Sequence, residues 1–240
     1  MNPVLKVEGL KKSYGAKEAV KGIDFEVQAG EIFALIGPNG AGKTTTLRII
    51  ATLLTLSGGR VTFLGHDLKK EPEKVREKIS YLPEEAGAYR NLKGADYLKF
   101  MANFYAASGE EAGGIVKRAM GIADLGPAIN DKVGTYSKGM VRKLLLGRAL
   151  MTRPTLAILD EPTSGLDVIN SLEVREIIKR YAKEGISVLL SSHNMLEIEF
   201  LSDRVALIDE GRILDAGTSQ GLKEKYSAAN LEVVFRSAVR

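Results

Sequence analysis

This 240-residue sequence predicts an α/β fold built on a mainly parallel sheet with a helical insertion. Three observations lead to it. Short apolar runs alternate with helical segments at both ends of the chain, the pattern of parallel strands joined by crossovers. The run Ile32-Phe33-Ala34-Leu35-Ile36 is apolar throughout, as a central strand covered on both faces must be. From Leu92 to Met151 the periodicity is mostly helical, so this stretch reads as an insertion between two halves of one core.

The elements follow in order. Strands are expected at Val4–Val7, Ile23–Val27 and Glu31–Ile36. Gly37–Gly42 breaks the chain, and a helix follows over Lys43–Leu54. Val61–Leu64 and Ile79–Leu82 are further strands. Helices are expected over Ala95–Ala106, Glu111–Ile122 and Ser137–Met151. The alternation then resumes: strand Thr155–Leu159, helix Asn170–Ala182, strand Ser187–Ser191, helix Met195–Leu201, strand Val205–Asp209. Glu210-Gly211 turns the chain back through Ile213 and Leu214, and the tail from Ser219 reads as one short helix and an undefined end. We read residues 1–240 as one domain, with a core of about 1–86 and 152–218, a helical subdomain of about 87–151 and a helical tail of 219–240.

Composition excludes several chemistries. With 0 Cys, a disulfide scaffold, a thiolate zinc site and a cysteine nucleophile are ruled out. His66 and His193 are the 2 histidines, too few for a poly-histidine metal site. The net charge of +4, from 34 basic and 30 acidic residues, is spread along the chain. It permits an anionic ligand without demanding nucleic acid. Met1–Leu10 lacks the apolar run of a signal peptide, and no stretch approaches the roughly 18 apolar residues that span a bilayer. A cytoplasmic location is therefore expected.

The strongest local signal is Gly37-Pro38-Asn39-Gly40-Ala41-Gly42-Lys43-Thr44, which matches G-x-x-x-x-G-K-[ST] between an expected strand and an expected helix. Glycines let the backbone wrap an anion without Cβ clashes. Successive N–H groups then form a nest, and the helix N-terminus adds about half a positive charge. Lys43 is expected to bridge the β- and γ-phosphates, Thr44 to ligate Mg2+ and Thr45 to face the α-phosphate. A glycine-rich helix cap is the bland alternative.

Leu156-Ala157-Ile158-Leu159-Asp160-Glu161 is an apolar strand ending in two acids, and strand C-terminal ends are where α/β sheets place ligands. Asp160 suits Mg2+, held through water. Glu161 suits a general base that orients an attacking water. The bland alternative is an exposed pair of strand-end acids.

At this point the chain resembles the ATP-binding subunit of an ABC transporter, from Tyr14 to about Thr218. Tyr81-Leu82-Pro83-Glu84-Glu85 is similar to the family's Q-loop, and Tyr136-Ser137-Lys138-Gly139-Met140 to its LSGGQ signature. Asp160-Glu161-Pro162-Thr163 follows, then the D-loop Ser164-Gly165-Leu166-Asp167 and the switch-histidine segment Ser191-Ser192-His193. The resemblance implies a P-loop NTPase core with a mainly parallel sheet, an N-terminal antiparallel β subdomain and an inserted helical subdomain. It implies ATP and Mg2+ as cofactors, with Tyr14 stacking on adenine and Glu84 near the metal. His193 becomes a γ-phosphate switch rather than a structural histidine, and His66 is left as a surface residue.

The resemblance also implies partners. Ser137 is a good helix N-cap. With Gly139 it would reach the γ-phosphate held by a second nucleotide-binding subunit, in a head-to-tail dimer with two ATP between the copies. That second copy could be identical or a close paralogue. Asp167 would sit at the dimer interface, or simply cap the helix near Val168. An integral membrane permease would dock on the helical subdomain, led by Gly87–Asn91, with Tyr89 and Arg90 as nominees. Tyr97, Phe100 and Phe104 recur at helical spacing and are expected to pack in the core. The chain would lie peripherally on the cytoplasmic face of the cell membrane, with no nucleic acid as partner.

Two departures stand out. Glu84 replaces the usual glutamine and cannot donate a hydrogen bond, with Glu85 a rival by one residue. Lys138, Tyr136 and Met140 replace glycine, leucine and glutamine of the signature. The combination resembles ABC exporters whose membrane subunit is a separate chain. The alternatives weighed are a soluble ABC-type ATPase acting on nucleic acid or ribosomes, and a nucleotide-binding regulator without turnover.

Overall fold

A strand buried on both faces must feed two cores, and alternate residues of β3 (Ile32–Ile36) do so. Phe33 and Leu35 pack into one apolar cluster, Ile32, Ala34 and Ile36 into another. The same split runs through β7 (Leu156–Asp160), where Leu156 and Ile158 face one side and Ala157 and Leu159 the other. The computed structural model describes residues 3–239.

Its central sheet has six strands. In spatial order they are β10 (Arg212–Gly217), β9 (Arg204–Asp209), β3, β8 (Ser187–Ser192), β7 and β6 (Ile79–Leu82). All neighbours are parallel except β9 and β10, which pair antiparallel. A second, antiparallel sheet orders β2 (Lys17–Val27), β1 (Leu5–Tyr14), β4 (Gly58–Phe63) and β5 (His66–Asp67). The sheet class expected from sequence is therefore found, including the N-terminal antiparallel layer.

One core cluster joins that layer to the central sheet through α1 (Lys43–Ile50): Val7, Val20, Val61 and Phe63 meet Leu47, Ile49 and Ile50. The other cluster packs the opposite face against α3 (Gly94–Ala102), α4 (Gly109–Ala123), α5 (Lys138–Leu150) and α6 (Val168–Lys183). Ser108, Ser137 and Asp167 cap α4, α5 and α6 by accepting from the N3 amide.

Several boundaries differ from expectation. β1 and β2 are longer than the apolar residues suggest, because their outer halves form a polar hairpin turned by Gly15 at φ +58°. α1 ends at Ile50 rather than Leu54, since Thr52 takes φ +60° and leaves Leu53 exposed. β5 and the short α2 (Pro72–Arg76) carry too little apolar pattern to be read. α7 (Met195–Glu199) stops two residues short of Leu201, and the tail holds two helices, α8 (Ser219–Lys225) and α9 (Leu231–Ala238), where one was expected. His66 lies at the surface end of β5, with Nδ1 3.2 Å from Glu71.

One packing expectation is overturned. Tyr97 is buried, but Phe100 and Phe104 are 43% and 67% exposed. The buried residues of α3 are Gly94, Ala95, Tyr97, Leu98 and Ala102, centred on Leu98. Phe100 lies about 200° around the helix from Leu98, and Phe104 falls beyond the helix end. Both join Tyr89 in a chain of edge-to-face rings on the surface, centroids 5.7 and 5.2 Å apart.

Candidate nucleotide and catalytic site

Register decides what meets at the sheet's C-terminal edge. Ile36 pairs with Ser192, Ser191 with Asp160, and Leu159 with Leu82. Gly37, His193, Glu161 and Pro83 therefore leave four adjacent strands on one level. The glycine loop, both acids, the histidine and the Glu84 turn converge there although they are scattered along the chain.

The loop 37–42 connects β3 to α1. A Cβ on Gly37 would strike the Ile208 carbonyl. Gly42 sits at φ +102° with the Ala19 carbonyl 2.7 Å from where a Cβ would stand. Larger residues are thus barred by conformation and by space. Gly42 caps α1 without a side chain, and the first turn of α1 carries no acid. Its N–H groups and positive dipole end therefore suit an anion. Lys43 is only 5% exposed, and its ammonium donates to the Gly37 and Pro38 carbonyls at 2.7 and 3.1 Å. A pocket of about 270 Å3 opens over this loop, lined by Tyr14, Asn39, Thr44, Thr45, Glu84 and Glu161, among others. Ala41 is buried beneath it. Tyr14 stands half exposed at the rim, with the Lys12 ammonium 5.1 Å from its ring centre.

Asp160 is buried and fully engaged. It accepts from Thr44 Oγ1 at 3.1 Å, Ser191 Oγ at 2.6 Å and the Tyr81 hydroxyl at 3.2 Å. Burial pushes the Tyr81 phenol above its ordinary pKa; Arg48 pulls it down and the charge of Asp160 raises it further.

Glu161 follows in the left-handed region at φ +47°, a conformation that costs a non-glycine residue roughly 1–2 kcal/mol. Its amide donates to Ser191 Oγ at 3.0 Å, so one serine ties down both acids. Its Oε2 accepts from His193 Nδ1 at 2.9 Å, which places a proton on that ring nitrogen. Its Oε1 lies 3.5 Å from the Lys43 ammonium and is buried without a hydrogen bond. A buried carboxylate oxygen lacking a donor, beside a cation and facing a phosphate-sized nest, is suited to receive a hydrogen bond from water.

The remaining residues fall elsewhere. Glu84 lines the pocket and accepts from Ser164 Oγ at 3.0 Å, whereas Glu85 lines a neighbouring cavity. Ser137 and Gly139 stand at the start of α5 and do not line the phosphate-loop pocket. Asp167 caps α6, accepting from Asn170 N at 3.0 Å and Nδ2 at 2.6 Å. Those bonds hold its carboxyl below the usual range, the backbone donor acting most strongly.

Sequence reasoning assigned no role to Ser191, Tyr81 or Arg142. Ser191 had a signal: a hydroxyl that follows the apolar run Val188-Leu189-Leu190 in a buried strand must find a partner. Tyr81 and Arg142 had none, since strand order and helix docking bring them in.

The donors Thr44 Oγ1 and the Asp160 carboxylate are hard oxygens, which fits Mg2+ completed by phosphate oxygens and water. Among the described residues, no group of three or more His, Asp or Glu could hold a metal by itself, and no helix is long and apolar enough to cross a membrane.

Comparison with known proteins agrees with this geometry. The model of the ABC transporter family matches residues 20–164. The linearmycin resistance ATP-binding protein LnrL of Bacillus subtilis is 38% identical over 219 residues, 91% of this chain and 70% of that protein. The daunorubicin/doxorubicin resistance ATP-binding protein DrrA of Streptomyces peucetius is 37% identical, covering 98% of this chain and 71% of that one. The lantibiotic transport ATP-binding protein SrtF of Streptococcus pyogenes is 34% identical over 98% of this chain and 97% of that one. A solved ATP-binding subunit of an ABC transporter superposes with TM-score 0.86 at 28% identity, covering 99% of this chain and all of that one. The cassette MJ0796, solved as a dimer after hydrolysis with ADP and phosphate, shares the fold at 23% identity and TM-score 0.79, over 89% of this chain and 98% of that one.

Proposed function

The chain belongs to the ABC transporter family as an ATP-binding, ATP-hydrolysing subunit, and from that premise we propose how its own residues do the work. Two copies close face to face on two ATP, and hydrolysis reopens them to drive a separate membrane subunit. The observation that carries the ATP chemistry is the single edge at which Lys43, Thr44, Asp160, Glu161 and His193 leave β3, α1, β7 and β8.

Within each copy the loop amides and Lys43 hold the β- and γ-phosphates, and Tyr14 covers the base. Thr44 and Asp160 hold Mg2+, with Glu84 nearby; the ion, when bound, neutralises phosphate charge. Glu161 orients water and takes its proton through Oε1, the oxygen left without a donor. His193 holds the other oxygen by its Nδ1 proton and keeps that carboxylate aimed.

Ser137 and Gly139 supply the opposite wall from a second copy. Two observations support this: they lie away from their own chain's pocket, and Val168, Ile169 and Phe200 are 74%, 70% and 72% exposed on the face beside Asp167 and His193. The exposed rings of Tyr89, Phe100 and Phe104, with a groove of about 310 Å3 between Leu53, Arg76, Tyr105 and Arg148, form the face we assign to the membrane subunit. Residues 87–151 are the part of the domain that carries most of it. The chain thereby works at the cytoplasmic face of a membrane.

Replacing Glu161 by glutamine removes the base while keeping shape. ATPase turnover should fall by 100-fold or more, as loss of about 3 kcal/mol of transition-state stabilisation requires, while ATP still binds and holds the dimer closed. Near-normal turnover in that variant would remove Glu161 from its role. Mixing a Ser137→Ala chain with a Lys43→Ala chain should restore one composite site per pair; no recovery would rule out sharing between copies.

A further inference from the structure

Two contacts join the segment after β8 to the loop after β7. One is the bond from His193 Nδ1 to Glu161 Oε2 at 2.9 Å. The other lies further along both segments, where the Thr163 hydroxyl donates to Glu197 Oε2 at 2.9 Å. Thr163 follows Glu161 by two residues, and Glu197 follows His193 by four. A cavity of about 450 Å3 is lined by all four of these residues, with Arg175 of α6 in its wall.

His193 needs such a support. Its side chain is 49% exposed, and α7, which follows it, has five residues, far fewer than a helix needs to hold by itself. Asn194 caps α7 by accepting from the Glu197 amide at 3.2 Å. Met195 and Ile198 are its buried residues, while Leu196 and Phe200 are exposed. Little apolar burial therefore fixes where His193 stands. Glu197 adds polar contacts in a sheltered place. Its side chain is 10% exposed, and its Oε1 lies 3.4 Å from Arg175 Nε, an ion pair without hydrogen-bond geometry. Thr163 is itself buried, inside the turn that the Ser164 amide closes on the Glu161 carbonyl at 3.1 Å. A bond to Thr163 is therefore a bond to the turn that begins at Glu161. Glu199, about 200° around α7 from Glu197, looks the other way. It accepts from the Leu231 amide at 3.3 Å and from the Lys223 ammonium, both in the tail.

We propose that Glu197 is a positioning residue for hydrolysis: it buckles the His193 segment to the turn after Glu161, so that the imidazole stands on the carboxylate before nucleotide binds. The proposal rests on reading Glu161 and His193 as the hydrolytic pair, whereas the buckle itself belongs to the nucleotide-free chain.

The test reads the His193 ring by nitrogen NMR in the full chain without nucleotide, at about pH 9, above the ordinary imidazole range. A His66→Gln background leaves His193 as the single histidine. The parent ring should carry its proton on Nδ1, as the bond to Glu161 requires. Thr163→Val and Glu197→Ala should shift it toward the tautomer protonated at Nε2. Thr163→Ser, which keeps the hydroxyl, should retain the parent spectrum. Glu199→Gln loosens α7 from the tail and should retain it too, while lowering the melting temperature. In turnover, Thr163→Val should cut kcat by about 10-fold or more and leave KM for ATP within about 2-fold. If Glu197→Ala does not fold, the two Thr163 variants decide. An unchanged tautomer in Thr163→Val, or an equal shift in Glu199→Gln, would overturn the proposal. A tautomer that follows Thr163 while kcat stays at the parent value would overturn the hydrolytic role of His193, and the positioning role of Glu197 with it, leaving only the contact.

Discussion

Ser191→Ala removes one oxygen atom from a residue that is fully buried, and its cost can be worked from the contacts. The hydroxyl donates to Asp160 Oδ1 at 2.6 Å and accepts from the Glu161 amide at 3.0 Å. A hydrogen bond to a charged group contributes about 1.5–3 kcal/mol, and a buried amide left unpaired costs about 1–3 kcal/mol. The two share an atom, so they do not simply add, and about 3 kcal/mol is a fair expectation. The strained backbone of Glu161, at φ +47°, leans on the same bond. At this length each kcal/mol shifts the melting temperature by about 2–4 °C, so the loss should be about 6–12 °C by circular dichroism. Ser192→Ala is the control next door. Its hydroxyl accepts only from the Asn194 amide at 3.0 Å, and about 1 kcal/mol is at stake. A Ser191→Ala shift under about 2 °C, or one matching the Ser192→Ala shift, would refute the idea that this serine ties the two acids together.

Other outcomes are equally checkable. Gly139→Ala drives a Cβ into the Asn170 side chain; overpacking of this kind costs about 1–3 kcal/mol, so melting should drop and Asn170→Ala should restore it, whereas an undisturbed single variant would disprove the contact. The Asp167 carboxyl is held below its usual 3.8 by donors from Asn170. A depressed carboxyl stabilises the fold above its unfolded pKa and loses that contribution as pH falls through the folded one. Its cap on α6 should therefore persist at neutral pH and weaken only in acid, and a carbon-detected NMR titration giving a value at or above 3.8 would contradict it.

Much of this chemistry is legible in the sequence. Gly37–Thr44 and Asp160-Glu161 each announce themselves within a few residues, because the needs of an anion nest or a strand-end acid are met by neighbours in the chain; His193 has no such local signal and is picked out only by the order of the family's motifs. The helix beginning at Ser137 was equally clear, since a cap and its helix are contiguous. Polar hairpin extensions and the two-residue β5 were illegible because they bury little apolar surface. Phe100 misled because helical spacing shows that residues share a face, but not which face turns inward.

Local order along the chain thus nominates the chemical parts: a glycine-rich cradle, its lysine and hydroxyl, and two strand-end acids. Tertiary structure alone decided their assembly. The order β9-β3-β8-β7-β6 sets Gly37, His193 and Glu161 side by side, brings Ser191 and Tyr81 onto Asp160, and lets Arg142 reach the Pro83–Glu84 turn from α5. The physical reason is range: dihedral preferences and residue periodicity act over a few positions, whereas the parallel strand neighbours here pair residues from 31 apart (Leu156 with Ser187) to 171 apart (Phe33 with Arg204) and are selected only when the whole apolar core closes.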